Sequence, residues 1–116
     1  MIEAIVIQYL MDALQTDHVY AERPMDPPDE YYIVELTSSS ERNHIMDAMI
    51  VVQSISGTAL LRAAEMNQDV RRAMRNLISM TDVSRCELNS AYNFTDTSTK
   101  QYRYQAVFDI VYMEEE

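Results

Sequence analysis

The side chains from which chemistry could be made are few and scattered. The 116-residue sequence holds two histidines, His18 and His44, and one cysteine, Cys86. Neither histidine has a cysteine or a second histidine beside it at the spacing of a zinc site, so both read as surface or satisfied side chains. Cys86 falls mid-strand on an apolar face with Leu88, where a buried, inert thiol is expected rather than a nucleophile. Asp26, Asp29 and Glu30 gather in a proline-rich stretch, and Glu114, Glu115 and Glu116 gather at the C-terminal end. Paired carboxylates can do acid–base work or hold a hard cation. A calcium loop would need regular alternation of ligands and a glycine for its sharp turn, and neither is present. Solvated acidic loops are the simpler reading. No catalytic residue, metal ligand or cofactor is predicted.

Composition excludes more. Gly57 is the only glycine, whereas both nucleotide-binding fingerprints need at least two for close approach of backbone to phosphate. Nineteen acidic residues against nine basic ones give a net charge of -10, a field that repels polyanions. The longest apolar run, Ala48 to Val52, is far short of the roughly 20 residues of a membrane span, so no membrane partner is expected. Glu3 stands where a secretory signal would carry Lys or Arg, and a single cysteine makes no internal disulfide; an intracellular folding compartment is the expectation. Nine methionines suit an adaptable contact surface.

The charge is two-sided. Residues 61–90 hold five arginines (Arg62, Arg71, Arg72, Arg75 and Arg85) and four acids, while residues 1–30 hold one arginine and seven acids. No lysine or aromatic company supports a nucleic-acid helix. Complementary charge between copies of the protein, or with an acidic neighbour, is one use of such asymmetry. A solvated helix face, with Asp69 bracing Arg72 at three-residue spacing, is the other.

The elements that position these residues follow from periodicity. Ile2, Ile5, Val6, Tyr9, Leu10, Ala13 and Leu14 recur at helical spacing, predicting a helix over Met1–Thr16. A short strand, His18–Glu22, runs into the proline loop Arg23–Glu30, where three prolines within five positions forbid helix and central strand. Tyr31–Ser38 reads as a strand with Tyr32, Val34 and Leu36 on one face, ending in a polar turn at Ser38–Arg42. Asn43–Ile55 reads as a strand greasy on both sides, so it is either central and covered or exposed to another subunit. Ser56 can cap a second helix with Gly57 and Thr58 in its first turn. Its stripe runs Leu60, Ala63, Ala64, Asn67, Val70, Met74, Leu77, Ile78, with a possible bend at Asn67. Val83–Phe94 and Lys100–Met113 make a hairpin across Thr95–Thr99; Cys86, Leu88, Tyr92 and Phe94 share a face, as do Tyr102, Tyr104, Ala106, Phe108, Ile110 and Tyr112. Neighbouring strands with short turns predict one α+β domain over residues 1–116, a mainly antiparallel sheet with two helices packed on one face.

In that order, the helix-first start, Val19-Tyr-Ala-Glu-Arg-Pro24, Tyr31-Tyr-Ile-Val-Glu-Leu-Thr-Ser38, Asn43-His-Ile45 to Gln53-Ser54, the alanine-rich helix, and Tyr92-Asn-Phe-Thr-Asp96 through Tyr102-Arg-Tyr-Gln-Ala106 resemble the small tail-completion (tail-terminator, head–tail joining) proteins of long-tailed bacteriophages. The resemblance covers nearly the whole chain, and none of its motifs is catalytic. It implies a non-enzymatic virion protein of the head–tail interface, assembled in the host cytoplasm of a phage or prophage. Such subunits form a ring, commonly a hexamer, that caps the tail tube protein and offers a joint to the head-completion or connector protein. DNA passes through the ring without being bound. On this reading Arg62, Arg71, Arg72, Arg75, Met49 and Val51 would meet a subunit or neighbour, and Asp26, Asp29, Glu30 and Glu114 would form acidic channel or loop surface. Little glycine and no lysine-rich docking patch are departures from the family pattern. A small cytoplasmic adaptor, or a metal-binding protein using the Asp26, Asp29, Glu30 cluster, is the competing reading.

Overall fold

Ile2, Val6 and Leu10, one helical turn apart, are buried along a single stripe of α1 (Ile2–Leu14). The helix ends where Gln15 turns left-handed (φ 53°) and the Thr16 amide donates to the Met11 carbonyl at 3.1 Å, closing the last turn. The computed structural model describes residues 2–79, 83–95, 98 and 101–113. After α1 come β1 (Val19–Tyr20), β2 (Glu30–Arg42), β3 (Ile45–Ser56), α2 (Leu60–Arg75), a 3₁₀ turn (Leu77–Ser79), β4 (Val83–Asn93) and β5 (Tyr102–Met113). The strands form one sheet in the order β1-β2-β3-β5-β4. Three pairings are antiparallel; β1 is parallel to β2, so the proline loop must carry the chain back to the same end.

Both helices cover one face. Val6 and Leu10 of α1 and Met66, Val70 and Met74 of α2 pack with Val34, Ile50, Val52, Ala106, Phe108 and Ile110 in one core. The expected α+β sandwich is therefore the fold. β3 lies between β2 and β5, with Ala48, Ile50 and Val52 in the core under the helices and Met49 and Val51 on the face the helices leave uncovered.

Several local expectations change. The polar stretch Ser38–Arg42 is strand, not turn: it pairs with Met49–Ile45 after a bulge at Thr37, and the turn moves to Asn43 and His44. Both have positive φ (51° and 67°), the backbone a two-residue hairpin loop of matching twist requires. Leu36 is more than a third exposed, because the hairpin here runs out past the helices. α2 starts at Leu60 with Ala59 at its N-cap and no side-chain cap, while the Ser56 hydroxyl accepts the Thr58 amide at 3.1 Å. The helix runs through Asn67 to Arg75 and only then tightens, and the tighter 3₁₀ pitch sends Leu77 inward and leaves Ile78 exposed. A bulge between Leu88 and Ser90 shifts the alternation of β4, so Tyr92 sits opposite Gln105 on the uncovered face instead of beside Leu88.

Candidate functional site

The charge asymmetry of the sequence becomes an asymmetry between the two edges of the sheet. At the β1 edge, residues 21–29 form the proline loop. Its C-terminal end is fastened: the Gly57 amide donates to the Asp29 carbonyl at 2.9 Å and the Thr58 hydroxyl to Asp29 Oδ2 at 2.6 Å. A Cβ on residue 57 would stand 2.6 Å from Asp29 Oδ1, which is the close approach the one glycine serves. Glu30 accepts Arg62 Nε at 2.8 Å, a half-exposed pair that joins β2 to the first turns of α2. The tip of the loop is free. Met25 is fully exposed (103%), and Glu22, Arg23 and Asp26 around it are exposed with no ion pair among the described residues.

The three loop carboxylates expected to cluster thus have separate fates: Asp29 and Glu30 are engaged by Thr58 and Arg62, and Asp26 points into solvent. No group of three histidine, cysteine or carboxylate side chains fit to hold a metal occurs among the described residues. Glu114 lies outside the described residues.

Near the opposite edge, α2 presents the other arginines. Arg72 pairs with Asp69 at 3.4 Å, as the three-residue spacing predicts, and both side chains are largely exposed. Arg71 and Arg75, four residues apart, have no acidic partner among the described residues. Between α2 and β4 they border a slot of about 120 Å³ whose other walls are Met74, Cys86, Leu88 and Phe108. Met74 and Phe108 are buried and Leu88 is 40% exposed, so the slot has an apolar floor and an open rim. Burial pushes the Cys86 thiol up to about 11, which keeps it protonated and unreactive at neutral pH. Arg71 and Arg75 stand one turn apart on α2; the slot between them needed the β4 register.

The sheet face away from the helices holds Met49 and Val51. Val51 is buried beside Val107, its partner on β5, and half-buried Met49 lines a shallow groove with Ser38, Ser40, Asp47, Arg85 and Asp109. Arg85 is paired with Glu87 at 2.7 Å. Tyr32, on the helix side, has its hydroxyl pushed up to about 12, chiefly by burial and then by the Asp69 carboxylate. Among the described residues these surfaces bring no nucleophile together with a base. Among the described residues no helix is long and apolar enough to cross a membrane.

No protein-family model and no curated protein matches the sequence. Among solved structures, the chain is similar to one from the virion of a native gene transfer agent particle, at 18% identity and a TM-score of 0.68, covering 97% of this chain and 94% of that one. A crystal structure from Akkermansia muciniphila overlaps at 10% identity and a TM-score of 0.47, covering 96% of this chain and 49% of that one, too loosely to carry an argument.

Proposed function

We propose that this chain is a structural, non-enzymatic protein of a phage-like particle, and specifically a tail-completion protein: its copies close into a ring, commonly a hexamer, cap the tail tube and present the joint to the head. The observation that supports this reading is the end-to-end likeness of fold to the gene transfer agent virion chain, which covers 97% of this chain and 94% of that one. The likeness between folds is supported by the order of sequence motifs, which independently resembles the tail-completion family. A surface built for contact and not for catalysis, with opposite charges at opposite sheet edges, suits a subunit that repeats around a ring.

The channel of such a ring is lined with acidic surface. Each phosphate neutralised by Lys or Arg would release condensed counterions and hold DNA in place; a net charge of -10 avoids that trap. Glu35, Asp47 and Asp109, on the uncovered face of the sheet, are suited to line it. Light scattering across concentrations, with a DNA-retention assay at physiological salt, tests the reading. Ring-sized particles with no retained DNA are expected. A monomer at every concentration, or tight DNA binding, contradicts it.

A further inference from the structure

The proline-loop tip and the arginine-bordered slot are complementary in character: an exposed apolar side chain beside carboxylates, and an apolar slot beside arginines. Met25 is the most exposed apolar side chain described (103%), unbranched, and followed directly by Asp26 with Glu22 three residues before it. The slot offers an apolar floor of Met74 and Phe108, with two guanidinium groups on its border that have no acidic partner among the described residues. Within one molecule the two cannot meet. The loop leaves the β1 edge and the slot opens at the β4 edge, four strand spacings or about 19 Å apart.

We infer that Met25 of one copy docks into the slot of the next, with Asp26 and Glu22 facing Arg71 and Arg75. The contact is heterologous: each copy gives a knob at one edge and a slot at the other, so it repeats from subunit to subunit and closes into a ring where the rotation allows. Arg23 is the one cation on the knob, and it must point away from the two arginines for the charges to match. Met suits the knob because its flexible thioether fits an irregular apolar gap, and the flanking charges fix which way the two copies face. The inference names the subunit contact of the proposed ring, but its test needs no phage. The cytoplasmic, non-phage reading could be true and the contact still form.

The experiment places cysteines at Met25→Cys and Leu88→Cys in a Cys86→Ser background and oxidises the full-length protein with copper–phenanthroline at high concentration. The expected product is a ladder of covalent multimers whose joining peptide, by mass spectrometry, links residue 25 to residue 88. A charge exchange supplies the second arm. Arg71→Glu/Arg75→Glu and Glu22→Arg/Asp26→Arg are each expected to lose self-association with an unchanged melting temperature, since none of these side chains has an ion-pair partner among the described residues, and an equimolar mixture of the two is expected to regain it. Absence of the 25–88 link, a link formed instead from exposed Met113→Cys, or a mixture that stays monomeric would overturn the contact. A 25–88 ladder from a protein whose deletion leaves particle assembly intact would keep the contact and discard the tail-completion role.

Discussion

His44 and Asn43 hold the tip of the longest hairpin in a left-handed conformation that costs an ordinary side chain about 1 kcal/mol or more. Asn and His both tolerate it better than most side chains, but only Gly has no Cβ to crowd there, so His44→Gly is expected to raise stability by about 0.5–1 kcal/mol, read as the midpoint of urea unfolding. This turn was illegible in the sequence because no glycine announces it, and the five polar residues before it, Ser38–Arg42, looked more turn-like than the turn itself. Cys86 and Tyr32 make a second residue-scale prediction. Burial raises the thiol from 9.0 to about 11 and the phenol from 10.0 to about 12. Above pH 9 the unfolded chain therefore gives up protons that the native state keeps, and the equilibrium moves toward unfolding as pH rises. The melting temperature should be level through neutral pH and fall from pH 9 upward, and Cys86→Ser should remove the earliest part of that fall. A melting temperature that rises between pH 9 and 11 would contradict the burial of both groups.

At the scale of elements, the strand β5 was the most legible part of the chain. Its strict alternation over Tyr102–Tyr112 matches the observed faces, with Ala106, Phe108 and Ile110 buried toward the helices and Arg103 and Gln105 on the other side. Phe108→Ala should cost about 3–5 kcal/mol and Gln105→Ala, whose amide donates to the exposed Tyr92 hydroxyl, well under 1 kcal/mol. Equal costs would refute the register. β4 was less legible, since one extra residue at its bulge reverses the faces of everything beyond Leu88. That bulge is also why the slot could not be read: Cys86 and Leu88 face α2, but Tyr92 and Phe94, expected with them, gather around Arg103 on the far face, where its guanidinium lies 5.1 Å from the Phe94 ring. Helix α2 shows the same limit. Its arginine spacing was plain, yet Arg62 turned out to be held by Glu30, from a strand thirty residues earlier, and periodicity has no access to such pairs.

For the whole molecule, the feature that carries most weight is a sheet with two unlike edges, an acidic loop at one and arginines of α2 near the other. In the proposed ring the acidic knob and the basic slot would give each copy a direction, and a directed contact that closes limits its own growth. The fold class was open to sequence reasoning because it depends on element order and pattern, whereas the pairing of edges depends on where bulges and loops bring distant residues together. The assembled ring is predicted to end tail growth and to join tail to head. Electron microscopy of lysates from a phage lacking this gene tests that claim most directly. DNA-filled heads beside unjoined, overlong tails are predicted, with joining restored when the purified protein is added back; normal, infectious particles from the deletion would contradict it.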